Sequence, residues 1–425
     1  MGQQERRDAQ PVQNDFFSVS SLAIMPDSTH LALGDNNGRV SLWDLSTGER
    51  VHTLVGLQKR VEKIIAGPDG SLVVAMANSE KLGPTGQRLP IGMRMIAWDI
   101  ESGEEMYRLE AQDEQMTAVA VTPDGRTAMI GLTMFNEQNQ PGGEARLLII
   151  DLKTGEILAE PRIDELPTSS YIQSLAINPT GNQAFALITE VDNSNISKGV
   201  LISLPSGEGI RAVELDEGAH PPALYSPDGS QIAVGIDGYF ALFDAVTGDK
   251  VRFLGSQTEG HFVTNYVTDI DTQYALFMPD GSSLISGSFD SNLFWWDIGT
   301  GELIQRLIGH EASIIGVELS PDGQGIISVS GDGTLRFWGL SRRGASEVQE
   351  TIRQFEGHDH QNVFDVVISP DGTKAVSITN GEPNRNEAKA ILWDTSTFEI
   401  IYQISGVYLQ AAFLPDGQSV ILGGL

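Results

Sequence analysis

Four short clusters in this sequence hold residue types able to do chemistry. His310, Ser328 and Asp332 are the types of a nucleophilic hydrolase: a serine attacks, an imidazole takes its proton, and a carboxylate orients the imidazole. His358-Asp359-His360 spaces two imidazoles as a metal site would, but no further ligand stands nearby in the sequence. Asp269-Ile270-Asp271 is an acidic pair without the glycine and terminal glutamate of a calcium loop. Gly83-Pro84-Thr85-Gly86 is glycine-rich, yet it lacks the lysine and the following helix of a phosphate loop. There is no Gly-x-Ser-x-Gly elbow and no His-Glu-x-x-His. The chain has no cysteine, which excludes disulfides, thiolate metal sites and cysteine nucleophiles.

The elements that must position these residues are set by a repeat. Nine short turns recur every 42 to 56 residues, from Pro26-Asp27-Ser28 and Pro68-Asp69-Gly70 through Pro179-Thr180-Gly181 to Pro415-Asp416-Gly417. A period of that size marks a repeat architecture. The cleanest unit runs from Gly309 to Phe355. Ile315, Val317 and Leu319 alternate as in a half-buried strand, and Pro321-Asp322-Gly323 turns the chain. Ile326, Ile327 and Val329 form a second strand, and Asp332-Gly333 makes a second tight turn. Leu335, Phe337 and Trp338 form a third strand, and Ile352 to Phe355 a fourth. The unit is a four-stranded antiparallel meander without helical periodicity.

The unit resembles the WD-repeat family of β-propellers. The markers are the Gly-His pair, the Pro-Asp-Gly turn, an Asp in the next turn and a Trp-Asp pair ending the third strand. That pair stands at Trp43-Asp44, Trp98-Asp99, Trp296-Asp297 and Trp393-Asp394, with weaker forms at Ile150-Asp151, Phe243-Asp244 and Trp338-Gly339. A Thr-Gly or Ser-Gly turn follows in most units, as at Thr47-Gly48, Ser102-Gly103 and Thr300-Gly301. The resemblance implies an all-β propeller of four-stranded antiparallel blades whose strands a to d run outward from the channel. It covers residues 17–425: eight full repeats over 17–405 and half of a ninth over 406–425, after a polar leader at 1–16. It also implies that His310, Ser328, Asp332 and Trp338 are a structural tetrad and not a catalytic set, with Ser330 as the alternative serine. His358 then belongs to a Gly-His marker. Blade eight lacks the tight turn and His261 comes too early in blade six, which leaves both their tetrads in doubt.

Strands c and d are missing from the ninth unit, so eight and a half repeats do not close neatly. The expectation is a piece of a longer protein, with a ring of seven or eight blades; seven, the common ring size in the family, leaves a second propeller begun.

Loop lengths point to a functional face. In such a meander the a–b and c–d turns lie on one face, and the b–c turns and d–a connections on the other. The a–b turns are uniform. The b–c connections are long in blade two (78–92), blade three (134–144), blade four (190–199) and blade eight (380–389). Binding residues concentrate on variable loops carried by a rigid scaffold. The candidates for partner binding on this face are Arg60, Arg88, Met93, Arg94, Phe135, Asn193 and Phe289.

The formal net charge is −30. Such a surface repels phosphate backbones and anionic lipids, and no Lys/Arg run offsets it. No nucleic acid, membrane, metal or cofactor is implied. A partner with a basic surface suits the charge. No apolar stretch approaches a transmembrane span and the first 15 residues lack a signal-peptide core, so the expectation is a cytoplasmic protein. The leading reading is a non-enzymatic scaffold for a protein or peptide. A sensor or targeting module of a larger signalling protein is one alternative. A propeller enzyme at the channel mouth is another, although the starts of strands a are mostly apolar (Phe17, Val61, Met116, Tyr171, Ile314).

Overall fold

The computed structural model describes residues 19–424 except 27–28, 46, 48, 58, 83–87, 136–142, 144, 164–168, 191–196, 210, 217, 237–238, 255–274, 288–290, 320–324, 333, 344–346, 356–362, 380–387 and 398. Eight four-stranded antiparallel sheets follow one another, each paired in chain order, and a two-stranded sheet comes last. Blade one shows the plan, with strand a at Val19–Ile24, b at His30–Asp35, c at Val40–Asp44 and d at Glu49–Leu54.

Local chemistry makes these meanders. In seven of the nine turns a glycine holds φ between +64° and +73°, a conformation that costs a Cβ-bearing residue energy. The turn aspartate then accepts the N–H two residues on, as Asp69 does from Ser71 at 3.1 Å and Asp371 from Thr373 at 3.0 Å. The Asp of each Trp-Asp pair builds the c–d turn in the same way. Asp44 accepts from Thr47 N–H, Asp99 from Ser102, Asp244 from Thr247, Asp297 from Thr300 and Asp394 from Thr397, all at 2.7–2.9 Å. Both recurrent aspartates are therefore scaffold.

Burial falls from the middle of a blade outward. Strand b of blade seven, Gly325–Ser330, is buried at every position, whereas strand d of blade eight, Ile400–Ser405, has none buried. Each blade is sandwiched between two others, so strand b is covered on both faces and reads as a continuous apolar run. Eight apolar seams join consecutive units. In the first, Leu42 and Leu54 of blade one meet Ile96 and Trp98 of blade two.

Strand a departs from simple alternation. A register shift between Ile314 and Gly316 puts Ile314 and Val317 in the core and leaves Ile315 and Leu319 only half-buried. The same irregularity recurs in strand a of blades one, four, five and eight and of the ninth unit. Such bulges add local twist.

The ninth unit corrects the expected ring. Its strands, Tyr408–Phe413 and Val420–Gly424, do not begin a second propeller. The first packs against strands a and b of blade eight, and both pack against strand a of blade one. The ring holds eight four-stranded blades, with the half unit wedged between the eighth and the first. The preference for seven is overturned.

Candidate functional site

The Ser-His-Asp set has the bond lengths of a hydrolase triad. His310 Nε2 lies 2.8 Å from Ser328 Oγ, and His310 Nδ1 lies 2.9 Å from Asp332 Oδ2. Its surroundings rule out that use. Ser328 is 0% exposed, and its Oγ already accepts the Trp338 indole N–H at 2.8 Å. Strand b carries the serine, strand c the tryptophan, and the turn between them Asp332. The chain of bonds runs from Trp338 N–H to Ser328, from Ser328 O–H to His310 Nε2, and from His310 Nδ1–H to Asp332. This direction assigns a neutral imidazole, and burial accordingly lowers the His310 pKa although Asp332 acts to raise it. Burial works against the Asp332 carboxylate, but bonds from His310, Glu311 N–H and Thr334 outweigh it and hold the carboxyl well below its usual range. These four residues tie strands b and c to the connection entering the blade. The Trp–Ser pair recurs in blade six (Trp296 to Ser286, 3.0 Å) and blade eight (Trp393 to Ser377, 2.7 Å). His261, His358-Asp359-His360 and Asp269-Ile270-Asp271 lie outside the described residues.

The face carrying the b–c connections differs from expectation in three ways. First, the long connection of blade two is largely a hairpin. Strands Leu72–Leu82 and Arg88–Asp99 stay paired out to Leu82 opposite Arg88, with a register shift where Glu80 meets Pro90. Second, Met93 is no surface anchor. It is 2% exposed, in the seam between blades two and three, because it points inward from the paired strand. Third, elaboration is not confined to one face. The c and d strands of blade seven, Leu335–Arg343 and Glu347–Phe355, stay paired to Arg343 opposite Glu347 and project on the c–d side. Arg342 and Arg343 end the first of these two strands.

The remaining candidates are spread along this face. Arg60 is exposed in the connection from blade one to blade two. Arg94 is half-buried; its Nη1 donates to Gly56 O at 2.7 Å, and Nε stands 2.7 Å from Glu110 Oε1. It clips blade two to blade one. Phe135 is half-buried beside Met134, which is 43% exposed. Asn193 and Phe289 lie outside the described residues.

A site that the sequence did not disclose lies between blades two and three. A cavity of about 350 Å³ opens there, lined by Leu109 and Gln112 from blade two and by Glu114, Leu132, Met134 and Arg146 from blade three. Such a volume is at the lower end for small-ligand pockets. Glu114 is 5% exposed and takes a 2.6 Å ion pair from Arg146, which also reaches Glu160 at 3.1 Å. Asn78 ties blade two to blade three by bonding both the N–H and the C=O of Met116, at 2.8 and 2.9 Å. The Met134–Arg146 proximity follows from a b–c connection that leaves both strand ends side by side. Its trace in the sequence is an Arg opening strand c twelve residues after Met134, which fits no repeat marker. At the starts of strands a, Val61, Met116 and Ile314 are apolar and each 3% exposed or less.

The family model "WD domain, G-beta repeat" matches residues 12–44, 252–297 and 301–339. WD repeat-containing protein 26 homolog of Arabidopsis thaliana is 23% identical over 340 residues, covering 79% of this chain and 50% of that protein. Nuclear distribution protein PAC1 of Arthroderma otae is 39% identical over 82 residues, 19% of this chain and 17% of that protein. The chain spans about half or less of the length of these curated relatives. Among solved structures, the C-terminal WD40 domain of Sif2 superposes with a TM-score of 0.56 at 13% identity, covering 85% of this chain and 93% of that one. A eukaryotic initiation factor structure gives 0.61 at 13% identity, covering 92% and 89%. The likenesses to solved structures show the fold. Matched repeats within a ring of eight four-stranded blades make the chain a β-propeller similar to the WD-repeat proteins.

Proposed function

We propose that this propeller is a non-enzymatic scaffold that holds a protein or peptide on the face carrying the b–c connections of blades two to four. One observation carries the reading: a cavity of mixed apolar and charged lining between blades two and three, overhung by exposed Met134 and edged by the Glu114–Arg146 pair. An apolar side chain seated in a desolvated pocket within a polar rim is the usual anatomy of a binding hot spot. The net charge of −30 favours a partner with a basic surface, whose association weakens with salt. A photo-crosslinking amino acid at Met134, compared with one at Val246 on the c–d side (75% exposed), tests the placement. Crosslinking of a discrete partner from Met134 and not from Val246 is expected. Equal labelling from both, or capture unchanged after deleting residues 82–91 and 136–142, refutes it.

A further inference from the structure

The seam between blades two and three is filled less completely than those after blades one, four, five and six. Leu54, Val213, Leu254 and Leu307 hold one register position on strand d of those four blades, and each is at most 2% exposed. Leu109 holds it in blade two and is only half-buried. It lines the cavity of about 350 Å³.

The connection between the blades explains the gap. Leu57, in the connection from blade one to blade two, is 0% exposed and fills the first seam. From blade two to blade three a single residue, Asp113 at φ +61°, joins strand d to strand a. Asp113 is exposed, so no connecting side chain plugs the second seam.

The cavity also borders a half-met carboxylate. Glu114 is 5% exposed, and Arg146 Nη1 donates to its Oε2 at 2.6 Å. Among the described residues, Oε1 accepts from no donor. A buried carboxylate oxygen without a donor costs free energy unless water or a ligand meets it. Glu114 lines the cavity, where either has room. The rest of the wall is largely aliphatic, from Leu109, Leu132, Leu148 and Ile157.

We infer, resting on the reading that a partner docks here, that the cavity receives one of its lysine side chains. The methylene stem supplies the apolar contact with Leu109, Leu132 and Leu148, and the ammonium donates to Glu114 Oε1. Arginine suits the site less. Its guanidinium holds a carboxylate best through two parallel bonds, and Arg146 already occupies Oε2. An ammonium needs one oxygen only. A purely aliphatic side chain leaves Oε1 unmet. The charges agree. Glu110 is met by Arg94 at 2.7 Å, and Arg146 is shared with Glu160 at 3.1 Å, so the spare acceptor is on Glu114, in a chain of net charge −30.

The probe is n-butylammonium, the lysine side chain without its backbone. n-Propylguanidinium stands for arginine, and n-butanol for an uncharged chain of the same length. Binding to the whole chain is read by NMR on isotope-labelled Leu and Met methyls. Shifts are expected at Leu109, Leu132 and Met134, and none at Leu284 of blade six. Butylammonium should bind at least about threefold more tightly than either control, because a charge-assisted bond is roughly twice as strong as a neutral one. Glu114→Gln should erase the preference over butanol and leave butanol binding unchanged, with exchange of the 146–151 amides reporting that the variant is folded. If it is not folded, the wild-type comparison decides. A capped Ala-Ala-Lys-Ala-Ala peptide should bind no more weakly than butylammonium. The lysine anchor is overturned by equal or tighter binding of butanol or propylguanidinium, by a preference that survives Glu114→Gln, by shifts only outside the cavity, or by exclusion of the peptide where the free amine enters. Those results leave the Met134 crosslink standing. Equal crosslinking from Met134 and Val246 instead strikes the docking reading, whatever butylammonium does.

Discussion

Ser328→Ala is the sharpest test of the buried network in blade seven. The hydroxyl accepts from Trp338 and donates to His310, each at 2.8 Å, and the residue is 0% exposed. Alanine fits the space but leaves two polar groups without partners in a site closed to water. Each orphan costs about 1–3 kcal/mol, so the loss is ~2–6 kcal/mol. Every 1.4 kcal/mol is tenfold, so opening of the blade should rise at least ~30-fold. A chain of 425 residues built from repeats is not expected to unfold in one step, so a single melting temperature is the wrong measure. Native-state hydrogen exchange on the 325–330 amides isolates the blade. Trp338→Phe in the Ser328→Ala background should cost less than in the wild type, because one orphan is already gone, with a coupling of about 0.5–3 kcal/mol. Exchange in strand b changed less than twofold by Ser328→Ala would refute the network as a stabilising element. So would labelling of Ser328 in the folded protein by a serine-reactive phosphonate, since the reagent has no path to it.

Three further outcomes are expected. The folded pKa of His310 is lowered, so the unfolded chain takes up the proton first as pH falls; blade-seven stability should be full above about pH 6.5 and decline below it toward the lowered folded value. Urea or exchange titrations between pH 8 and 5 measure this, and His310→Gln should remove that part of the slope. Gly155→Ala should destabilise the seam between blades two and three by more than 1 kcal/mol, because its φ is +74° and a Cβ would stand 2.4 Å from the Tyr107 ring; native-state exchange of the 146–151 amides indistinguishable from wild type counts against this. Tyr107→Phe removes the bond to Leu152 O but keeps the ring, so it should cost about 0.5–1.5 kcal/mol in the same assay.

What was legible in the sequence was local. A glycine at positive φ and an aspartate capping the next N–H act within a few residues, so Pro-Asp-Gly and Trp-Asp-x-x-Thr-Gly could be read directly as turns. His310, Ser328, Asp332 and Trp338 could be placed because a known repeat pattern supplied their spacing, although the spacing alone fits a hydrolase equally well. What separates the two readings is burial, which depends on neighbouring blades. Met93 failed for a related reason: its segment looked like loop because Gly83-Pro84 and Pro90 break strand patterns, yet Pro90 sits at a register shift where a missing N–H is tolerated. Once that segment is a strand, alternation turns Met93 inward.

The ring size was out of reach for a deeper reason. It is set by the angle between adjacent blades, and that angle depends on side-chain packing across each seam. Closure here also requires that residues near opposite ends of the sequence meet, because the 408–413 strand must lie beside 19–24. No local pattern encodes that meeting.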